Sequence, residues 1–535
     1  MNIRLNAVLL LMTACALLAT GFVEASPLKR QTTADHRKFK ELNGPFASGP
    51  AVTQACLSCH TEAAGQVQRT KHWTWEFLNP GSGQRLGKKN VINNFCISIN
   101  SNYPFCTSCH VGYGWRDNSF DFSDESKVDC LVCHDTTGLY VKQPGFAGEP
   151  LTADTEYPPG SGRMLKGVDL ATVAQRVGKS SRDTCGACHF RGGGGDGVKH
   201  GDMDSSLAAP DEAVDVHMDA LGLDFTCGDC HLTSAHEIPG SRYALQARDK
   251  GGYHMRGREG DGNPASCIAC HDNTPHKEAA AAPRLNQHVR KIACQTCHIP
   301  AMARGGVPTK LSWDWSTAGK LDAEGKQFTI KDDHGHAIYA SHKGDFTLGE
   351  NVVPEYRWFN GKVQYTLLDD RIDPAQQPVF INRIEGSPDD GESLIWPLKI
   401  MRGKQPYDKD NMTLVTPHTA GDDASGYWKN LDWESAIAVG MRSSGAPFSG
   451  AVGFVETQMF WPLTHMVAPK ENALACGDCH QKQGRLAGVS GVYLPGRDSI
   501  ALLDRGGWLL ALLTFVGVVG HGGMRVIASM RRKGN

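Results

Sequence analysis

The sequence predicts a mainly α, irregular fold with a small β insertion and one C-terminal transmembrane helix. Three observations predict it: one cysteine-histidine pattern recurs eight times, ordinary core-forming residues are scarce, and an apolar run lies near each end. Of 535 residues only 40% are hydrophobic, a figure that includes 18 Cys, while 60 Gly and 27 Pro favour irregular backbone. Eleven Trp, 19 Phe and a charged fraction of 21% argue against disorder, so something other than aliphatic side chains must fill the interior. With 55 Lys+Arg against 57 Asp+Glu the net charge is -2, without the basic excess that binds a phosphate backbone. No nucleic acid partner is expected.

The recurring pattern is C-x-x-C-H. Its cysteines are Cys56 and Cys59, Cys106 and Cys109, Cys130 and Cys133, Cys185 and Cys188, Cys227 and Cys230, Cys267 and Cys270, Cys294 and Cys297, and Cys476 and Cys479. The histidines that follow are His60, His110, His134, His189, His231, His271, His298 and His480. On a helical turn two cysteines three apart share a face, so both thiols can add to the two vinyl groups of one haem while the adjoining His reaches the iron. Zinc or a thioredoxin-like redox pair accounts for a single C-x-x-C, but neither requires His at the next position every time. Eight motifs predict eight covalently bound haem c groups. The fold is then an irregular multihaem cytochrome c built around stacked haems, with short helices and Gly-rich segments wrapping the macrocycles.

Motif starts are 24 to 182 residues apart, which excludes a regular repeat. The longest interval, 299–475, is haem-poor. Its alternating stretch from Arg357 to Leu368 around Asn360-Gly361 is a hairpin signal, so strands are expected there.

Of 22 His, eight belong to motifs. The best distal iron ligands lie close to motifs: His236 and His276 five residues after a motif His, His288 six before Cys294, and His465 eleven before Cys476. A ligand so near one motif serves a neighbouring haem. His72, His217 and His254 complete seven, with His36 and His200 in reserve; each alone has a plainer reading as a surface or propionate-bonding His. No Met is better placed, and paired His ligation favours low potentials.

Both ends read as targeting segments. Residues 1–25 carry Arg4, an apolar run and a cut before Ser26, the pattern of a cleavable secretory signal; a lipoprotein reading through Cys15 fits less well. The octahaem domain is 26–495. Gly506 to Met524, about 28 Å long as a helix, matches the hydrocarbon thickness. A buried C-terminal helix is the alternative, but there is no polar face between Trp508 and Gly520. Arg525, Arg531, Arg532 and Lys533 place the tail 525–535 in the cytoplasm and the domain in the periplasm, as a single-pass protein of the inner membrane held by its lipid. His521 lies inside the span, as an interfacial residue or as a ligand for a partner's cofactor.

Lys71-His72-Trp73-Thr74-Trp75, Asn93-Asn94-Phe95-Cys96, Val128 to Thr137 and Gly192 to Asp204 carry a family likeness. From about Asp35 to Lys482 the chain resembles the octahaem tetrathionate reductase family, multihaem c-type cytochromes related to hydroxylamine oxidoreductase and pentahaem nitrite reductase. The resemblance implies an active site at the second haem, here held by Cys106, Cys109 and His110, with a distal Lys in place of an eighth His. It implies Lys199 as that ligand, Asp196 three residues before it, and Cys96 as a free cysteine nearby.

From the residues alone, Cys96 is the one mature cysteine outside a motif, open between buried filler and functional thiol, and Lys199 reads as solvated. The implied activity is two-electron reduction of tetrathionate, a small sulfur oxyanion, to thiosulfate. Alternatives are nitrite or hydroxylamine reduction at the same haem, and a non-catalytic electron conduit. Two departures stand out. No motif ends in Lys, as many pentahaem nitrite reductases have, and the C-terminal helix lies outside the soluble pattern. That helix leaves the electron donor open between a membrane quinol-oxidising cytochrome and a periplasmic carrier.

Overall fold

The eight motifs lie on short helical turns. The computed structural model describes residues 34–248, 265–277, 280–421 and 423–533; the expected signal segment 1–25, Cys15 and His254 lie outside them. In Gly49–Leu57, Leu131–His134, Arg182–His189, Cys227–Cys230, Ile268–His271, Cys294–His298 and Cys476–Cys479, the helix reaches into the motif. The His60, His231, His271 and His480 amides each close on the first motif cysteine's carbonyl at 2.8–3.0 Å. That is the i to i+4 bond which brings two cysteines three apart onto one face. The second motif differs: Tyr103–Cys106 gives way to the 3-10 turn Thr107–Cys109, and the His110 amide bonds Thr107 instead.

Most helices are only a turn or two long, so their caps matter. Ser181 and Thr184 form a capping box on Arg182–His189. The longest helix among the described residues of the domain is Trp433–Ser444, entered through the Asp432 cap and ended by Gly445 at φ 71°.

Two short hairpins lie among the motifs, β1 (Phe77–Leu78) with β2 (Arg85–Leu86) and β3 (Thr155–Glu156) with β4 (Met164–Leu165). The haem-poor interval carries far more strand than expected, a nine-stranded sheet. Its members begin with β5 (Thr309–Asp314), β6 (Thr329–Lys331), β7 (Ala337–Ala340), β8 (Gly344–Gly349) and β9 (Glu355–Phe359). They continue with β11 (Val379–Phe380), β13 (Leu394–Asp408), β14 (Thr413–Leu414) and β15 (Val452–Pro462). The order is β11-β15-β13-β5-β8-β7-β6, with β9 and β14 also on β13.

Strand β13 organises this sheet. It runs antiparallel to β15 from Leu398 opposite Pro462 to Asp408 opposite Val452, and Leu394 to Met401 is buried without a break. Such a run needs cover on both faces, which one small insertion cannot give.

The expected hairpin at Asn360-Gly361 is corrected. The chain turns there, but β9 pairs with β13, whereas β10 (Val363–Tyr365) pairs with β12 (Asn382–Ile384). Val363 and Tyr365 reach the core by that longer-range pairing.

The largest apolar cluster lies on this sheet: Trp313, Phe346, Phe359, Trp396, Met401 and Trp461 meet Phe95 there. Trp313 stacks on Trp315 with ring centroids 4.5 Å apart, worth about 0.5–1.5 kcal/mol beyond the area buried.

The helix Ala501–Lys533 packs against nothing among the described residues and is exposed throughout. It is the one described helix long and apolar enough to cross a membrane, with mean hydropathy 1.6 in its apolar window.

Candidate functional site

Seven of the eight motif histidines face a second histidine across a nearly constant gap. The ring centroids are 6.3 Å apart for His60 and His36, 6.4 Å for His134 and His236, and 6.2 Å for His189 and His72. They are 6.4 Å apart for His231 and His465, 6.0 Å for His271 and His217, 6.3 Å for His298 and His276, and 6.1 Å for His480 and His288. Rings in direct stacking contact sit much closer. A metal bound on a line between two imidazoles, with bonds of about 2 Å, puts the centroids about 6.3 Å apart. The motif residues and their partners therefore fit a haem iron. One further pair at this distance, His334 and His336, lies two residues apart on the turn between β6 and β7 and contains no motif His.

These pairings place the candidates individually. His36, a reserve in the sequence, stands opposite His60, and the seven pairs are complete without His254. His200, the other reserve, is buried beside Arg242, whose guanidinium nitrogen is 2.7 Å from His200 Nδ1. Three of the partner rings are anchored through Nδ1: His236 on Gln66 at 2.8 Å, His276 on Asn286 at 3.1 Å, and His465 on the buried Asp202 carboxylate at 3.3 Å.

His110 is the exception. No second histidine faces it among the described residues, and its ring sits fully buried in a box of Trp73, Trp75, Trp115, Phe120 and Phe122. Burial holds it neutral, with its pKa pulled down to about 3, and the neutral imidazole is the ligating form. Lys142 fixes its backbone, donating to the His110 carbonyl at 2.6 Å and pairing with Asp129 at 2.9 Å in full burial. Tyr113 and Tyr140 also donate to Asp129. Removing either member of such a buried pair costs about 3–5 kcal/mol, so the second and third motifs are pinned together there.

Cys96 and Lys199 come from loops that the sheet holds. In the loop of Cys96, the Asn93 side-chain oxygen accepts from the amides of Phe95 and Cys96, and Trp315 donates to the Phe95 carbonyl at 3.0 Å. Asn94 donates to the Met401 carbonyl of β13 at 2.7 Å. Gly403 of β13 permits this approach, since a Cβ there would lie 2.9 Å from the Asn94 oxygen.

The loop of Lys199 is held by β13 and by β5. Lys399 of β13, fully buried, donates to the carbonyls of Val198 and Lys199 at 3.1 and 3.2 Å. Thr309 of β5 donates to Gly197 at 2.7 Å. The two loops meet where the Cys96 thiol donates to the Gly193 carbonyl at 2.8 Å. Gly193 and Gly194 both have φ near 90°, a backbone that glycine adopts without strain. Asp196 accepts from the Ser205 amide at 2.9 Å, and no ion pair joins it to Lys199 among the described residues.

The environment is cationic. Burial, with Lys88 and Arg242 adding like charge, pulls the Lys199 pKa down to about 7. Its ammonium lies 5.4 Å from the centre of the Trp461 ring, on which Arg242 stacks at 3.4 Å. Cys96 and Cys106 are also among the groups near enough to act on Lys199. Lys88 lies over Trp75 at 4.3 Å, on the wall of the His110 box.

Lys88, Lys142, Arg242 and Lys399 were not among the residues singled out from the sequence. Only Lys399 left a signal there, a charge inside the apolar run Leu394 to Met401.

A C-x-x-C-H motif on each short helical turn, with opposed histidines at iron-spanning distance, defines a multihaem c-type cytochrome. The family profile described as "Cytochrome c bacterial" matches residues 310–483, and that described as "Cytochrome c554 and c-prime" matches residues 53–135. An uncharacterised protein of Archaeoglobus fulgidus is 25% identical over 276 residues, covering 43% of this chain and 90% of that protein. The crystal structure of octahaem cytochrome c from Shewanella oneidensis is 42% identical with a TM-score of 0.74, covering 86% of this chain and 97% of that one. The chain belongs to the octahaem cytochrome c family, to which its sequence resemblance pointed, and it carries covalently bound haem c.

Proposed function

We propose that this protein is a membrane-anchored reductase of the periplasm that splits tetrathionate into two thiosulfates at its second haem site. The meeting of Cys96 with the glycine loop of Lys199 carries the reading, because it sets a free thiol beside a buried amine that is easily deprotonated. Seven haems would be held by the opposed histidine pairs and the eighth by His110 and Lys199. Together these groups supply stored electrons. Eight haems, one per motif, predict a mass excess of eight haem groups on the mature chain; a matured protein with seven or fewer would refute the count.

The residues divide the chemistry as follows. Lys199, neutral above a pKa of about 7, is a ligand that a proton and a substrate displace. The Cys96 thiolate attacks one of the two inner sulfurs, the central S–S bond breaks, and one thiosulfate dianion leaves. The sulfur chain left on Cys96 takes two electrons, releasing the second thiosulfate and restoring the thiolate. Arg242 and Lys199 draw a dianion into the buried site. Steady-state reduction of tetrathionate, nitrite and hydroxylamine, measured side by side on the purified holoprotein, tests this reading; turnover confined to the nitrogen substrates would refute it.

The exposed helix Ala501–Lys533 supports anchorage, with Gly506 to Met524 in the bilayer and the basic tail in the cytoplasm. The donor is then a membrane quinol-oxidising cytochrome or a carrier that reaches the membrane surface. Asp498 clasps Arg497, whose guanidinium closes the loop onto Leu486, Val489 and Val492. A chain truncated after Ser499 keeps that clasp. It is expected to move from the membrane fraction to the soluble periplasm with its haems retained, and a full-length chain already soluble would refute the anchor.

A further inference from the structure

Lys310 is a buried lysine whose amine has no hydrogen bond or ion pair among the described residues. It is 7% exposed, and its ammonium lies 3.9 Å from the centre of the Trp313 ring and 3.4 Å from that of Phe346. Two aromatic faces supply part of what water would give an ammonium, but not a counter-charge. Trp313 packs on Phe95, the neighbour of Cys96, with centroids 5.9 Å apart. Lys343 approaches the same place from the turn between β7 and β8, where its carbonyl accepts from the Trp313 indole at 2.7 Å. The Lys343 ammonium is 5.2 Å from the centre of the Trp428 ring, and Trp428 meets Phe105, which adjoins Cys106. The insertion thus sets Lys310 over Trp313, which packs on the neighbour of Cys96, and Lys343 over Trp428, which packs on the neighbour of Cys106.

We propose that Lys310 and Lys343 form a second anion subsite, which holds the far sulfonate of a two-ended dianion while Cys96 addresses its inner sulfur. This rests on the sulfur-substrate reading above and makes the two lysines residues that determine specificity. Burial, together with the like charge of Lys343, pulls the Lys310 pKa well below the usual lysine range, while Cys96 raises it. A bound anion relieves that cost, since the charged form then gains a partner. The rival counter-charge is a haem propionate. Lys88 suits that role better, because it lies over Trp75 on the wall of the His110 box, whereas Lys310 lies over Trp313 and Phe346 of the sheet. Nitrite, a single small anion, cannot reach both subsites.

The test uses dithionate, a two-ended dianion without inner sulfurs, in calorimetric titration of the haem-loaded protein, beside steady-state kinetics. Lys310→Met, which keeps the apolar stem, and Lys343→Gln are each expected to weaken dithionate binding and raise the tetrathionate KM by about tenfold or more. Nitrite kinetics should stay within about twofold, and Lys310→Arg should restore dithionate binding. Unchanged dithionate affinity in both neutral variants overturns the subsite. So does a shift of haem potential or spectrum in them without loss of affinity, which would identify a propionate partner. If wild-type protein binds dithionate through Lys310 but does not turn over tetrathionate, the subsite stands and the substrate assignment above falls.

Discussion

Replacing Cys96 by Ala is expected to lower tetrathionate turnover by about three orders of magnitude while nitrite and hydroxylamine reduction stay within a few fold. The asymmetry follows from the two chemistries. Splitting a sulfur–sulfur bond by exchange requires a thiolate that becomes covalently attached, and no other cysteine in the domain lies outside a haem motif. Nitrogen substrates need only the iron side of the site. The substitution is otherwise mild: the loop is fixed by Asn93, Asn94 and Trp315, none of which bonds the thiol, so only the hydrogen bond to Gly193 is lost. That bond is worth about 1 kcal/mol or less, so folding and haem content should be retained. Equal loss of both activities would point to a structural role for Cys96, and no loss of either would remove the thiolate step.

The second large effect is expected at Lys199. Lys199→His should suppress turnover of every substrate by at least about a hundredfold and give a fully low-spin spectrum. The contrast lies in how the two side chains let go. A buried amine with its pKa near 7 is protonated, and so released, within a pH unit or so of neutrality, and ligation lowers that pKa further. An imidazole is already neutral there and stays bound. Lys399 and Thr309 clamp the backbone around residue 199, so the exchange is one of side chains rather than of loop position. The wild-type spectrum should therefore change as pH falls through about 7 or just below, and that of Lys199→His should not. Lys199→Ala should open the site permanently, altering the spectrum at all pH values; an unaltered spectrum in Lys199→Ala would refute Lys199 as the ligand.

The multihaem class was legible because each C-x-x-C-H motif is a local device. Two cysteines three apart meet on one helical turn whatever surrounds them, and eight copies leave no other family of explanations. The C-terminal helix was legible for the same reason, since an uninterrupted apolar run specifies its own backbone.

What lay beyond the sequence is long-range. His288 meets His480 only after segments far apart in the chain are packed, and the packing of neighbouring helical turns sets His36 rather than another candidate opposite His60. The hairpin signal at Asn360-Gly361 was sound as a turn, yet both flanking strands found partners elsewhere, because burying Val363 and Tyr365 outweighed pairing with a neighbour.

The candidate site shows the division most sharply. Lys199 was visible only through a family resemblance, and Cys96 stood out from the residues alone only as the one mature cysteine outside a motif. Nothing near them in sequence shows that Lys399, two hundred residues on, holds the Lys199 backbone, or that Gly403 makes room for Asn94. The sequence by itself determined the cofactor class, through covalent spacing, and the membrane-length helix, through apolar length. Only the tertiary structure decided which histidines oppose one another, through the packing of separate segments, and where the free thiol and Lys199 meet, because that meeting depends on the register of β5 and β13.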